Sequence, residues 1–196
     1  MSLPVFGTDR LLIRDWTEAD APFVFDVYAR WEVARWLGAQ PRVLGNKDEA
    51  IAAIRRWRDR STEPPFGIWA ITERSTGDPK GTVLLVPLPA DAPTADAPAA
   101  DAPAAGADGG PVEIGWHLHP SAWGLGYATE AGAAAARRGF EAGLDEVYAV
   151  VRPDNTRSLA VCRRLGMTPL GRTSRWYGTE LEAFRLGAPS ARVPHS

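Results

Sequence analysis

A chain of 196 residues with 45% hydrophobic side chains fits one globular domain with a substantial core. Its formal net charge of −2 argues against a nucleic-acid or membrane-surface binder, and the lone Cys162 excludes an internal disulfide framework and a cysteine-based zinc site. There is neither an apolar run of about 18 residues nor an apolar signal core at the N-terminus, so a soluble cytoplasmic protein is expected.

Residues 1–7 read as a short lead and Leu11–Arg14 as the first strand. Thr17-Glu-Ala-Asp20 resembles a capping box, opening a helix that should bury Phe23, Val24, Val27 and Tyr28. Trp31, Val33, Trp36 and Leu37 continue into a short irregular or helical piece. Asn46 is placed to cap a second helix reaching Arg60, with Ala50, Ile51, Ile54 and Trp57 at helical spacing on its apolar side. The same helix carries Arg55, Arg56, Arg58 and Arg60, read here as a solvated face near a helix C-terminus. The other reading is contact with an anionic acceptor or partner. Phe66–Thr72 and Gly81–Val86 read as strands joined through a turn at Ser75–Pro79. Residues 87–111 break the pattern, with Ala-Asp-Ala-Pro at 90–93, 95–98 and 100–103. That segment has little to bury and is expected to be a passive, mobile surface insertion.

The most informative stretch is Val112–Thr129. Val112–Leu118 alternates as a strand, with Ile114, Trp116 and Leu118 on one face and Glu113, Gly115 and His117 on the other. Pro120 and Ser121 stop it, and Gly124-Leu125-Gly126 feeds an alanine-rich helix over about 127–140. A glycine turn before a helix start presents free backbone N–H groups and a positive dipole end, a ready phosphate site. A dinucleotide fingerprint fits badly, because its third glycine position holds Thr129 and Asp145 precedes the next strand. An ordinary tight turn is the other reading of the glycines alone.

Ala128, Ala131, Ala135 and Gly139 give the helix a small-residue face that can lie close to a sheet, and Gly143 suits its C-terminus. Val147–Val151 is the next strand, and Asp154 or Asn155 caps a helix ending near Leu165-Gly166. Asn155 and Ser158 share a helix face and read equally well as an N-cap and its first-turn neighbour. Met167–Gly171 and Trp176–Leu186 close a domain spanning residues 1–186, followed by a flexible tail over 187–196. Cys162 falls on an apolar stripe with Leu159 and Leu165, so core is expected rather than nucleophile. His117 and His119 share a strand face but lack a third ligand, so no metal is expected. Most of the eight tryptophans should be core or pocket walls.

Trp123-Gly-Leu-Gly-Tyr-Ala-Thr-Glu-Ala131 resembles the acyl-CoA pyrophosphate loop of the GNAT superfamily of N-acyltransferases. Three further segments are similar to its branch of bacterial ribosomal-protein N-terminal acetyltransferases. They are Thr8–Arg14, Arg152–Ala160 and Arg164-Leu-Gly-Met167, and the likeness covers roughly residues 8–186. The wider superfamily opens its loop with Arg or Gln; Trp123 stands there, as in the narrower branch. The resemblance implies an α/β (α+β) GNAT fold: a mostly antiparallel sheet of about seven strands, splayed between the fourth and fifth, with helices on both faces. It implies direct acetyl transfer from acetyl-CoA to a primary amine, foremost a protein N-terminal amine. A small-molecule amine and a non-catalytic CoA-binding sensor are the alternatives. It places the co-substrate against Trp116, His117, Leu118, Trp123, Gly124, Leu125, Gly126, Tyr127, Ala128, Thr129, Asn155 and Ser158. Ser158 would then serve the leaving thiolate, and a backbone N–H near Leu118 would face the thioester carbonyl. Glu113 is the first candidate base; Glu180, beyond Arg175-Trp176-Tyr177, is a weaker one. Trp31, Trp36 and Tyr177 are expected acceptor-pocket walls, in a monomer or homodimer.

Overall fold

The computed structural model describes residues 3–61, 63–89 and 110–189. Chain order is β1 (Pro4–Gly7), β2 (Leu11–Arg14), α1 (Ala21–Tyr28), α2 (Trp31–Ala34), α3 (Lys47–Asp59), β3 (Gly67–Glu73), β4 (Pro79–Pro87), β5 (Val112–Leu118), α4 (Tyr127–Glu141), β6 (Glu146–Val151), α5 (Thr156–Arg164), β7 (Thr168–Thr173) and β8 (Leu181–Gly187). Among the described residues these strands form one eight-stranded open sheet in the order β1-β2-β3-β4-β5-β6-β8-β7. The additional strand is the lead: Pro4–Gly7 pairs antiparallel with β2, so the expected seven become eight.

Every neighbouring pair is antiparallel except β5 and β6. Those two run parallel and share one register pair, Glu113 opposite Tyr148, beyond which they part toward their C-terminal ends. The sheet is therefore open in its middle, where the resemblance places the splay.

Helices cover both faces. The α4–α5 side buries Leu11, Ile13, Trp69, Ile71, Val83, Leu85, Ile114 and Cys162 against Ala131 and Ala135 of α4. The α1–α3 side buries Trp16, Val24, Val27, Ile54 and Trp57 against Ile68, Ala70 and Val86. β3, covered on both sides, accordingly reads Gly-Ile-Trp-Ala-Ile-Thr with no exposed position. α4 lies close to the sheet because it is built of small residues: a Cβ on Gly132 would come within 3.2 Å of the Trp116 ring.

The termini follow local chemistry. Thr17 and Asp20 form the capping box ahead of α1. The Asn46 side chain accepts from Glu49 N at 2.9 Å, capping α3. α4 ends in a Schellman arrangement on Gly143, with Leu144 N–H bonded to the Gly139 carbonyl and Gly143 N–H to that of Phe140.

Two boundaries differ from the sequence reading. Phe23 is only partly buried. The last strand begins at Leu181 instead of Trp176, because Trp176 and Tyr177 turn inward to pack on Leu88, Tyr148 and Val150. The repeat at 90–103 and the tail from 190 lie outside the described residues. The ends of the 87–111 segment are ordered: Leu88 is buried and its N–H meets the Pro111 carbonyl at 2.8 Å, extending the β4–β5 ladder. No helix among the described residues is long and apolar enough to cross a membrane.

Candidate active site

A cavity of about 710 Å³ enters the gap between β5 and β6. One end is walled by Trp116, Leu118, the Trp123–Thr129 turn and the start of α5; the other by Tyr28, Trp36, Trp57, Glu113 and Tyr177.

Strand register decides which backbone groups face it. His119 N–H bonds to the Lys80 carbonyl and Leu88 N–H to the Pro111 carbonyl, marking 80/119 and 88/111 as hydrogen-bonded antiparallel pairs. Such pairs alternate, so 82/117, 84/115 and 86/113 belong to the same set. The N–H and C=O groups of Ile114, Trp116 and Leu118 therefore point away from β4, toward the gap that β6 leaves. An extended ligand can pair there as an added strand. The Leu118 carbonyl is already taken, by Trp123 Nε1 at 3.0 Å. This bond also fixes the indole at the mouth of the turn, with the Arg157 guanidinium 4.4 Å over its ring.

The turn itself is built for an anion. Gly124 and Gly126 have φ of 77° and 82°, the left-handed region that side chains disfavour. No side chain caps α4. The first-turn amides at Tyr127, Ala128 and Thr129 are thus unclaimed within the helix. These features fit a pyrophosphate. Two members of the expected set contribute only backbone. Leu125 is half exposed and off the cavity wall, its carbonyl accepting from Arg10 Nη1 at 3.0 Å. The Tyr127 ring is buried, its hydroxyl donating to Glu73 at 2.7 Å.

Arg10 braces this turn from the opposite edge of the molecule. Its guanidinium bonds Glu130 at 2.7 Å as well as the Leu125 carbonyl, and it lies 5.0 Å over the Tyr127 ring. Thr8 Oγ1 donates to Glu130 as well. Position along the sequence gave no sign of this brace, because Arg10 and Glu130 are 120 residues apart.

Asn155 and Ser158 both line the cavity. The Asn155 side chain accepts from Ser158 N at 3.2 Å, so it is the N-cap of α5 while facing the site. The two readings of this pair are compatible.

Glu113 projects toward the α1–α3 side and accepts from Tyr177 Oη at 2.5 Å. Burial pushes its carboxyl up to about 7, against the opposing pull of the Tyr177 hydrogen bond and the Arg60 charge. Burial and the adjacent Glu113 hold the Tyr177 phenol well above its ordinary range. Tyr177 has φ of 61°, a left-handed conformation uncommon outside glycine, which sets its ring against Glu113. Glu180 is exposed and bonded to Arg172 at 2.8 Å, away from the cavity wall.

His117 also reaches the cavity. Tyr28 Oη sits between Thr82 Oγ1 at 2.7 Å and His117 Nδ1 at 3.1 Å, and burial lowers the His117 pKa to about 4. The imidazole is therefore neutral at ordinary pH. His119 is elsewhere, against Asp26 and Ser121. No group of three or more potential metal ligands occurs among the described residues. Cys162 is buried, its thiol pushed up to about 12.

Of the expected acceptor walls, Trp36 and Tyr177 line the cavity and Trp31 does not. Trp31 opens α2 facing solvent, 57% exposed, because Val33 and Ala34 take the buried side of that short helix. The arginines of α3 divide. Arg55 points out to Glu18, while Arg56 and Arg60 share the cavity-facing side with Ala53 and Trp57. Helical spacing of 53, 56, 57 and 60 was the available signal.

The site can hold a phosphate-bearing thioester in an extended pose and bring an amine to a carboxylate that titrates near neutrality. Comparisons with known proteins agree. The family described as Acetyltransferase (GNAT) domain matches residues 10–168. An uncharacterized N-acetyltransferase of Bacillus subtilis, YoaA, is 28% identical over 169 residues, 86% of this chain and 85% of its own. In fold, the chain is similar to the ribosomal-protein-S5-alanine acetyltransferase from Vibrio fischeri, with TM-score 0.69, 14% identity, and 94% and 97% coverage of the two chains. It is similar too to the microcin C7 self-immunity acetyltransferase MccE in complex with acetyl-CoA and AMP, with TM-score 0.72, 15% identity, and 95% and 99% coverage. With its phosphate turn, parted strands and matched sequence in the same order, this chain belongs to the GNAT family of acetyltransferases.

Proposed function

We propose that the protein moves an acetyl group from acetyl-CoA directly to a primary amine of low basicity, foremost a protein N-terminal amine. The observation that carries this reading is Glu113, a carboxylate with a pKa of about 7 on the wall shared by Ser158 and the phosphate turn. A base is most useful when its pKa lies near the working pH and near that of its partner. An α-amine, at about 7.7–8.0, is within reach of Glu113; a lysine amine, at about 10.4, is not.

Acetyl-CoA supplies the activated acetyl thioester. Its phosphates rest on the amides of residues 127–129, and its pantetheine arm runs beside Trp116 and Leu118. The Leu118 N–H donates to the thioester oxygen as negative charge develops there. Glu113, directly or through one water, takes a proton from the nitrogen as the new C–N bond forms. Ser158 Oγ–H lies toward the sulfur and protonates or hydrogen-bonds the thiolate as the C–S bond breaks. The proton held by Glu113 then leaves to solvent, so no acetyl-enzyme is formed. Trp36 and Tyr177 flank the acceptor.

The test is release of free CoA thiol across a panel of free-N-terminus peptides, lysine peptides, polyamines and aminoglycosides. Turnover concentrated on the N-terminal peptides supports the reading. Turnover confined to the small amines moves the acceptor to a small molecule. Tight acetyl-CoA binding with no turnover on any acceptor indicates a CoA sensor instead.

A further inference from the structure

We infer that the acceptor carries an anionic group, a carboxylate or phosphate, close to the amine that is acetylated. The inference rests on the acetyl-transfer reading above and names what its acceptor must look like.

The charge on the cavity wall is one-sided. The whole chain carries −2, yet six arginines line the cavity and Glu113 is the only carboxylate there. Most of these arginines are accounted for. Arg157 and Arg164 belong to α5, on the side of the phosphate turn, with Arg157 over Trp123. Arg152 donates to the Gly38 and Ala39 carbonyls at 2.6 and 3.3 Å, holding the segment after α2. Arg42 is paired with Glu49 at 2.9 Å.

Arg56 and Arg60 remain, and their place is distinctive. They lie one helical turn apart on α3, on the face that carries Ala53 and Trp57 into the cavity. That is the side of the sheet to which Glu113 and His117 project. Arg60 is near enough to Glu113 to pull its pKa down. Both arginines keep contacts within the protein, but their charge stays at the wall. His117 adds none, being neutral. An ammonium-bearing acceptor without an anion would therefore meet net repulsion at the end where its nitrogen must arrive. An acceptor with a carboxylate or phosphate a few bonds from the amine places that group on the guanidinium pair and its nitrogen at Glu113. Guanidinium geometry suits both anions.

The experiment compares matched acceptors with the full-length protein and acetyl-CoA, reading kcat/KM by thiol release. The pairs are an amino acid and its amide, phosphoethanolamine and ethanolamine, and N-terminal peptides with Asp or Asn as second residue. The expected result is a tenfold or greater preference for the anionic member of at least one pair. Which pair responds identifies the source of the anion. In Arg56→Gln the preference should shrink to less than threefold, with the neutral member unchanged, and Arg56→Lys should restore part of it. Arg60→Gln should lose the preference too and move the pH profile upward, since it also faces Glu113. Turnover without a tenfold preference in any pair, or a preference that survives both Gln variants, overturns the inference and leaves acetyl transfer standing. Absence of turnover with every acceptor overturns both.

Discussion

Replacing Tyr177 by Phe removes one hydrogen bond from Glu113 and little else, since the ring and its packing on Leu88 are kept. The bond lowers the Glu113 pKa, so its loss must raise it. A hydrogen bond to a charged group contributes about 1.5–3 kcal/mol. At about 1.4 kcal/mol per pH unit, the pKa moves up from about 7 by roughly one to two units. The assay is kcat against pH from 5 to 10, with a weakly basic amine acceptor whose own titration lies below this window. Wild type should rise to a plateau through about pH 7, and Tyr177→Phe through about pH 8–9 to a similar plateau. Glu113→Gln should lose the rise altogether and fall by about 10²–10⁴ in kcat, the usual contribution of general-base catalysis. An unmoved rise in Tyr177→Phe, or near-wild-type activity in Glu113→Gln, would refute Glu113 as the base.

Other predictions concern the co-substrate and stability. Ser158→Ala should cut turnover with little change in acetyl-CoA affinity; equal activity would remove Ser158 from thiolate handling. Arg10→Ala frees the Leu125 carbonyl and Glu130 at once, and should raise KM for acetyl-CoA several-fold with kcat held, with partial rescue by Lys; an unchanged KM would show that the turn needs no brace. The folded protein holds a proton on Glu113 that the unfolded chain releases, so stability falls with rising pH between about 4.5 and 7. Glu113→Gln should therefore gain on wild type across that window by up to about 3 kcal/mol in chemical denaturation. His117 works in the opposite sense. The unfolded chain binds its proton below 6.5 and the folded protein only near 4, so stability rises with pH between those values. His117→Gln should accordingly gain on wild type as pH falls, and a pH-independent difference would contradict a buried neutral ring.

Much of the site was legible because its chemistry is local. Gly124 and Gly126 signal left-handed backbone and a helix start without tertiary information, and Asn46 and Asn155 cap the helices their positions suggest. Val112–Leu118 alternates because each face meets a different layer, and that alternation put Glu113 on the acceptor side. The misses are all tertiary. Pro4–Gly7 becomes a strand through pairing with β2, which no local pattern in four residues encodes. Trp31 was indistinguishable from Trp36 by residue type, and only the packing of Val33 decides which faces the cavity. The inward turn of Trp176 and Tyr177, which shortens β8 and gives Glu113 its partner, depends on a surface formed by Leu88 and β6. The α3 arginines were read as one solvated face; the cavity takes Arg56 and Arg60 and leaves Arg55 in a surface pair.

The most direct test is calorimetric titration of acetyl-CoA into wild type and Thr129→Asp. Thr129 lies in the first turn of α4 on the cavity wall. An acid there favours the helix dipole but repels a pyrophosphate. Saturable one-to-one binding by wild type is predicted, weakened tenfold or more in Thr129→Asp, whose melting temperature should be equal or higher. No saturable binding by wild type, or undiminished binding by the variant, would contradict the claim that this turn holds the co-substrate.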